Sequence, residues 1–316
     1  MPPEYANSGN VSERTDSYAF AIIILELLLG KAPRTVIGMV IEDEAFYKNI
    51  LDNIDMSAGS WTKKAVLGLA DIAERCHEHH PHKRSTVRGV IAKLKAVQAS
   101  AGSSFSAFDS SQGRSTGDTA ARRLELAKEA EYDELTSAPA NAAARKLVVL
   151  DWNSGAASSV VSLPFAELEA ATHGFAECNQ LGEGGSCVVF KGQLFGAEVA
   201  VKRLGKVAGG ADGAGSGGGQ QAETQLFEAE MKLCTSITHA NLCRMLAFAT
   251  DGPRRCLVLE LCTGGALNDR LACRAEGRVA PPPLPWQHRV QIALGVAEAV
   301  VHLHSQTPSP VIHRCA

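Results

Sequence analysis

The sequence has little of the charge or cysteine patterning that marks nucleic-acid-binding or secreted proteins. Its 316 residues carry a formal net charge of only -3, so no strong field of either sign attracts nucleic acid or an anionic membrane. The 9 cysteines are odd in number, scattered and free of Cys-x-x-Cys pairs. This pattern argues against a disulfide framework and predicts reduced thiols.

Long apolar runs are also missing. The longest run, Ala19 to Leu29, is too short to span a bilayer and contains Glu26, so it predicts a buried helix. No secretory leader pattern opens the chain. These features together predict a cytoplasmic protein with no membrane span and no nucleic-acid partner.

Three zones differ in composition. Hydrophobic residues make up 45% of the chain, enough for one large or two smaller domains. Residues 1–100 have helical periodicity, residues 101–162 are rich in Ser, Ala and Gly and predict a flexible linker, and residues 163–316 alternate strand and helix signals. Gly209 to Gly219 is a glycine-dense insertion that predicts disorder.

The local patterns predict individual elements in the first and third zones. Helices are expected at Asp16 to Leu29, Thr62 to Cys76, a segment from Ser85 or Thr86, Leu226 to Ser236, and Trp286 to His304. Strands are expected around a turn at Leu181 to Phe190 and Glu198 to Lys202, and again at Leu257 to Leu261.

One glycine-rich segment has the composition of a phosphate-binding loop. Glycine lets a backbone approach a triphosphate closely, because any side chain would hold the amides away. The loop residues are Leu181, Gly182, Glu183, Gly184, Gly185, Ser186 and Cys187. Taken singly, this loop also fits a plain hairpin, and Lys202 on the next strand also fits a solvated strand end.

The order of the motifs resembles that of protein kinases. The glycine loop is followed by Val199-Ala200-Val201-Lys202, by Glu230, by His239-Ala240-Asn241-Leu242 and by Leu257 to Leu261. This run is similar to plant receptor-like and interleukin-receptor-associated (Pelle-like) serine/threonine kinases. The resemblance implies that Lys202 contacts the ATP phosphates and is held by Glu230 from helix αC, with Glu228 as the alternative.

The same resemblance implies further nucleotide contacts. Leu259 is the expected gatekeeper, and Val189 and Ala200 are the expected apolar lids of the adenine site. The hinge that hydrogen-bonds adenine is expected at Glu260, Leu261 and Cys262. ATP is thus the implied cofactor, with Mg²⁺ bound to it, although Cys187 departs from the family's third loop glycine.

The segment Pro310 to Ala316 resembles the start of a kinase catalytic loop. His313 and Arg314 match its first two residues, and Cys315 stands where the family has its catalytic Asp. The magnesium-binding Asn and Asp and an activation segment do not follow within the 316 residues. We therefore expect little or no phosphoryl transfer by this chain alone.

The opening residues resemble a different part of a kinase, the end of the activation segment and helix αF. The resemblance implies an ion pair between Glu4 and Arg84, and an Asp16 side chain that anchors the catalytic-loop backbone. The expected fold is α+β: a helical C-lobe part (αF–αI), a flexible linker, and a five-stranded antiparallel N-lobe with αC plus the αD and αE helices. The chain thus resembles the C-lobe fragment of one kinase followed by the N-lobe-to-αE fragment of a second.

Two other functions stay open at this stage. The first is a pseudokinase-like scaffold for protein signalling partners, in which contacts between the helices at Ile22–Leu28 and Val290–Leu303 would join the two halves. The second is a stand-alone nucleotide sensor. A metal site is not expected, because the spacing of His77, His79, His80 and His82 beside Cys76 matches no structural zinc template well.

Overall fold

The computed structural model describes most of the chain outside the expected linker. The described residues are 2–41, 45–100, 160–184, 187–204, 237–272, 282–305 and 310–313, with scattered positions between 224 and 235. The chain divides into two compact units, one formed by residues 1–108 and 264–316 and the other by residues 109–263. We call them the helical unit and the sheet unit. The predicted glycine-rich disorder at 209–219 and most of the predicted linker lie outside the described residues.

The elements follow the chain in an order that separates the two units. The helices are α1 Pro3–Ser8, α2 Glu13–Leu29, α3 Pro33–Val36 with a π-helical stretch Ile37–Ile41, α4 Phe46–Asn53, α5 Lys63–His77, α6 Val87–Ala99, α7 Phe165–Ala171, α8 Leu267–Leu271 and α9 Trp286–Ser305. The strands are β1 Val161–Ser162, β2 Gln180–Glu183, β3 Cys187–Leu194, β4 Ala197–Leu204, β5 Met245–Asp251 and β6 Arg254–Glu260.

Helix ends in the helical unit are set by local side-chain chemistry. The Ser12 hydroxyl accepts a hydrogen bond from the Arg14 N–H, and the Thr15 hydroxyl accepts one from the Ser12 N–H, so a capping box starts α2. Gly30 ends α2 with a left-handed backbone at φ 61°. At the start of α5, the Thr62 hydroxyl accepts a hydrogen bond from the Ala65 N–H and so caps the helix. The helices predicted from the sequence in this region are therefore confirmed to within a few residues.

The core of the helical unit joins segments from the two ends of the sequence. Helices α2, α5, α6 and α9 contribute to one cluster of buried side chains, whose members include Ile24, Leu25, Leu28, Leu69, Leu94, Val290, Ala293 and Ala297. The helix expected at 290–303 thus packs on the helix expected at 22–28. The sheet unit ends at residue 263, and the apolar stripe of α9 is buried among the N-terminal helices.

None of the helices within the described ranges combines the length and the apolarity that a membrane crossing requires. The most apolar, α2, spans 17 residues and is buried on nearly all sides.

Glu26 is the exception in the apolar α2, and its burial predicts a pH effect on stability. Burial raises the pKa of the half-buried Glu26 carboxyl to about 7 from an ordinary 4.5. The folded chain therefore binds more protons than the unfolded chain between these values, so stability falls as the pH rises from about 4.5 through 7. We expect Glu26→Gln to be about 1–2 kcal/mol more stable than wild type at pH 8, after discounting for solvent screening.

Urea unfolding at a series of pH values measures this difference. The two proteins should be equally stable near pH 4 and should diverge as the pH rises to about 7. A stability difference that does not change with pH would contradict an ionisation origin.

The sheet unit contains one mixed sheet. The strand order is β1-β5-β6-β4-β3-β2, with β1 parallel to β5 and every other pair antiparallel. Five antiparallel strands were expected, and β2 to β6 form them. The sheet differs from the expectation by a sixth strand, the parallel β1. The two residues of β1 lie in the segment assigned to the linker, and they are too few to show a strand period.

The two faces of this sheet carry different clusters. Phe165 and Leu168 of α7 pack with Val199 and Val201 on one face. On the opposite face Phe227 packs with residues that include Met245 and Leu257.

Candidate functional site

The strand register places the candidate lysine among the expected nucleotide contacts. Lys202 on β4 lies directly opposite Val189 on β3 and Leu257 on β6. Ala200 lies opposite Leu259 in the same antiparallel ladder. Directly opposed residues share a face, and so do residues two apart on a strand. All five side chains therefore lie on one face, which we call the lysine face, and Lys202 is half-buried there.

The glycine loop begins as a regular hairpin. Gly182 lies opposite Val189, and the Gly184 N–H donates a hydrogen bond to the Cys187 carbonyl over 2.8 Å. Leu181 is 51% exposed, as the other residues of β2 also are exposed. The remaining loop residues, Gly185 and Ser186, lie outside the described residues.

The expected hinge begins at Glu260, the last residue of β6, which is held by two hydrogen bonds. The Glu260 N–H donates to the Arg244 carbonyl over 3.0 Å, and the Glu260 carboxylate accepts from the Arg244 N–H over 2.9 Å. Leu261 is half-buried and Cys262 is exposed. Arg244 thus holds both the backbone N–H and the side chain of Glu260 at the point where the chain leaves the sheet.

The acidic partner expected for Lys202 is not described. Glu230 lies outside the described residues. Its alternative, Glu228, is exposed, whereas its neighbour Phe227 is buried. Phe227 and Met231 contribute to the cluster that contains Leu257.

Asp16 in the helical unit makes two buried contacts. One carboxylate oxygen accepts from the His313 backbone N–H over 2.8 Å and lies 2.8 Å from His304 Nε2. Asp16 is 3% exposed and His304 is 7% exposed. Arg314 and Cys315 lie outside the described residues. The role of His304 was missed from the sequence, although a histidine at the end of an apolar helix is a usable signal.

Glu4 and Arg84 form an ion pair in the same unit. Arg84 donates to the two carboxylate oxygens of Glu4 over 2.7 and 3.2 Å, and to the Arg14 carbonyl over 2.7 Å. The Arg84 side chain is fully buried. Burial raises the pKa of Glu4, but the hydrogen bond and charge of Arg84 outweigh burial and hold it below its ordinary value.

A second buried ion pair was not expected from the sequence. Arg289 on α9 is 1% exposed and donates to Asp55 over 2.6 Å and to the carbonyl of Leu27 over 2.9 Å. Gly30 leaves the necessary room, because a Cβ there would lie 2.4 Å from the Asp55 carboxylate. This pair therefore links α9 to the end of α2 and to the loop before α5.

The histidine-rich segment after α5 contains ordinary packing contacts. His77 stacks on Phe46 with ring centroids 5.1 Å apart, and His80 lies against His79 and His82. Among the described residues, no group of three or more His, Cys, Asp or Glu side chains is arranged to hold a metal ion.

Comparison with known proteins agrees with the motif order. The family of protein tyrosine and serine/threonine kinases matches residues 175–315. The Pelle-like serine/threonine-protein kinase pik-1 of Caenorhabditis elegans is 34% identical over 202 residues, which are 62% of this chain and 39% of that protein.

Two further relatives come from flies and plants. The serine/threonine-protein kinase pelle of Drosophila melanogaster is 35% identical over 50% of this chain and 30% of its own length. Cysteine-rich receptor-like protein kinase 25 of Arabidopsis thaliana is 34% identical over 52% of this chain and 22% of its own length. The chain thus spans well under half of the length of these relatives. Residues 175–315 carry protein kinase domain sequence, and the chain is a homologue of the Pelle-like and plant receptor-like serine/threonine kinases.

Proposed function

We propose that the sheet unit binds ATP with Mg²⁺ on its lysine face, in the manner of protein kinases. The observation that carries this proposal is the register that gathers Val189, Ala200, Lys202 and Leu259 on one face. In this proposal the Lys202 ammonium contacts the α and β phosphates, and a helix carboxylate orients it. The exposed position of Glu228 favours Glu230 for that role.

The surroundings of Gly182 support a ligand above the hairpin. A Cβ built on Gly182 would meet no atom within 4 Å, and Gly182 is not among the glycines with positive φ. Neither packing nor backbone conformation within the described residues therefore requires glycine at this position. Close approach of a phosphate chain to the backbone supplies a reason for it.

The apolar residues of the lysine face suit an adenine ring. We assign Val189 and Ala200 to one side of the ring and Leu259 to the rear of the site. The backbone from Glu260 to Cys262 supplies the hydrogen bonds to adenine in this proposal. Because the Glu260 side chain and its backbone N–H are both engaged with Arg244, its contribution to adenine in this proposal is the backbone carbonyl.

The proposed chemistry stops at nucleotide binding. Phosphoryl transfer by a kinase uses an Asp to orient the substrate hydroxyl and further Asn and Asp residues to hold magnesium. Cys315 occupies the position of the first Asp, and a neutral thiol does not stabilise the developing positive charge as a carboxylate does. In our proposal this chain alone therefore transfers phosphate very slowly or not at all.

We further propose that the helical unit is the large lobe of a kinase whose segments occur in permuted order. The contact between Asp16, near the start of the chain, and the His313 backbone, near its end, supports this arrangement. So does the shared core of α2 and α9. In this reading residues 2–100 contribute αF to αI, and residues 264–313 contribute αD, αE and the start of the catalytic loop.

A signalling scaffold is the second candidate function. It is favoured by the continuous core of the helical unit, which gives a partner a folded surface whether or not nucleotide is bound. A scaffold of this kind would keep its partner contacts after ATP binding is removed.

The thermal stability of the purified chain tests the first proposal. We expect millimolar ATP with Mg²⁺ to raise the Tm, because a ligand that binds only the folded state stabilises it. We expect no more phosphate in a generic protein acceptor than in a control reaction that lacks the chain. No rise in Tm would contradict nucleotide binding, and measurable transfer would contradict the proposed inactivity.

A further inference from the structure

Two cysteines lie on neighbouring segments where the chain leaves the last strand of the sheet unit. The backbone hydrogen bond from the Glu260 N–H to the Arg244 carbonyl continues the β5–β6 ladder by one residue pair, and the Arg244 N–H donates to the Glu260 carboxylate. Cys243 precedes that pair on one side, and Cys262 follows it on the other. Cys243 Sγ lies 3.5 Å from the carbonyl of Glu260, two residues before Cys262.

Both cysteines are exposed to solvent. They contrast with Cys76 and Cys256, which are buried in the two units. These two residues are therefore open to a soluble oxidant, although their sulfurs are partly desolvated, whereas the two buried thiols are protected.

The two thiols differ in their readiness to ionise. The hydrogen bond from Cys243 lowers the pKa of Cys262 to about 7, although burial and the negative charge of Glu260 oppose this. The same hydrogen bond, together with burial, raises the pKa of Cys243. The charges of Glu260 and of the nearby Cys234 raise it further. Cys262 is therefore the thiolate of the pair at neutral pH, and Cys243 keeps the proton.

We propose that Cys243 and Cys262 form a peroxide-sensitive dithiol that closes to a disulfide. Three features carry the inference: the ladder that brings the two segments together, the 3.5 Å approach of Cys243 Sγ to the Glu260 carbonyl, and the exposure of both cysteines. The ladder matters because a disulfide requires Cα atoms about 4.4–6.8 Å apart.

The oxidation balances with one peroxide molecule. The Cys262 thiolate attacks one peroxide oxygen, forming an S–O bond and breaking the O–O bond, and the released hydroxide takes up a proton to give water. The Cys243 sulfur then attacks the sulfenic sulfur, so that an S–S bond forms, the S–O bond breaks and the Cys243 proton leaves with hydroxide as a second water. The two sulfurs together give two electrons to the peroxide.

The disulfide has a consequence that depends on the proposed function. Cys262 is the last residue of the proposed adenine hinge, so a bond to Cys243 fixes the hinge backbone in a new geometry. We expect the oxidised chain to bind ATP about tenfold more weakly than the reduced chain. This second step fails on its own if nucleotide does not bind, whereas the oxidation chemistry stands independently.

Peroxide treatment of the full chain tests the dithiol directly. We expect hydrogen peroxide to remove the mass of two hydrogen atoms from the protein, and peptide mapping without reductant to recover Cys243 linked to Cys262. Cys243→Ser should leave Cys262 as a sulfenic acid that reacts with dimedone. Two control variants should still form the disulfide. They are Cys178→Ser, which removes another exposed thiol, and Cys234→Ser.

Two results would overturn the proposal. The first is a disulfide of unchanged yield in Cys243→Ser, which would assign the bond to other cysteines. The second is a reduced wild-type chain whose Cys262 alkylation rate rises with pH only near 9, the ordinary thiol value, instead of near 7. The second measurement uses wild type alone, so it does not depend on the folding of any variant.

Loss of ATP binding is read separately. The Tm rise with ATP and Mg²⁺ is compared in the reduced and peroxide-treated chains. If the reduced chain responds to ATP and the oxidised chain responds equally, the hinge effect is wrong while nucleotide binding stands. If the reduced chain does not respond, the proposed function fails and the disulfide mapping still decides the dithiol.

Discussion

Asp55→Asn is expected to lower the free energy of unfolding of the helical unit by about 3 kcal/mol. The substitution keeps the side-chain oxygen that accepts from the Ser57 N–H but removes the charge that neutralises Arg289. Arg289 is 1% exposed, so its guanidinium would stay buried with only carbonyl partners. Breaking a buried pair in this way costs more than the pair itself contributes.

Tryptophan fluorescence during urea unfolding measures this loss. Trp61 and Trp286 lie with ring centroids 5.6 Å apart, one before α5 and the other at the start of α9, so both report on the helical unit. The double variant Asp55→Asn with Arg289→Met should recover part of the stability, because it leaves no buried unpaired cation.

A surface pair provides the matched control. Lys95 and Glu298 also join the N-terminal helices to α9, but their side chains are 56% and 36% exposed. Lys95→Ala should cost less than about 1 kcal/mol, since exposed pairs are screened by solvent. Equal losses for Lys95→Ala and Asp55→Asn would contradict the importance of burial.

The pH dependence of this effect has a definite sign. Burial raises the pKa of Asp55, but hydrogen bonds from Ser57 and Arg289 outweigh it and hold the pKa below 3.8. The stabilisation is therefore present above the ordinary pKa and is lost as the pH falls through the lower folded value. Wild type and Asp55→Asn should approach equal stability only in acid below about pH 3.8.

Lys202→Met is expected to weaken ATP binding by about ten- to a hundredfold. The substitution keeps the apolar stem among Val189 and Leu257 but removes a cation that the proposed site directs at the phosphates. Hydrogen bonds that involve a charged group contribute about 1.5–3 kcal/mol, which corresponds to that range of affinity. The dependence of Tm on ATP concentration measures the change.

Lys191→Met is the control for this prediction. Lys191 lies opposite Ala200, on the same face as Lys202, but its ammonium is paired with Glu198 at the surface. The Lys191→Met substitution removes the same charge as Lys202→Met, from a neighbouring position. A general loss of positive potential would therefore weaken ATP binding in both variants. Weaker binding in Lys202→Met alone supports a specific phosphate contact, and equal weakening would contradict it.

Local chemistry made much of the helical unit predictable. The cap residues Ser12, Thr62 and Thr86 and the stop at Gly30 give the helix limits within a few residues. The packing of α9 on α2 was raised only as a possibility, because a contact between segments more than 200 residues apart leaves no local periodicity. The Arg289–Asp55 pair, which spans 234 positions, was missed for the same reason.

The sheet unit was predictable where glycine and alternation mark the strands. Lys202 was proposed from its place in a motif, and the register shows which residues share its face. Strand β1 was missed, since two residues carry no alternation and its parallel partner β5 lies far along the chain. The proximity of Cys243 to the segment that carries Cys262 was also missed, because it depends on the ladder that brings Arg244 beside Glu260.

Labelling with an acyl-phosphate derivative of ATP tests the proposed nucleotide site most directly. Such a probe transfers its acyl group to a lysine amine that lies beside the bound phosphates, and peptide mapping then identifies the lysine. We predict acylation of Lys202, suppressed by excess ATP, with little modification of Lys191. Acylation spread evenly over the surface lysines, or labelling of Lys202 that ATP does not suppress, would contradict nucleotide binding on the lysine face.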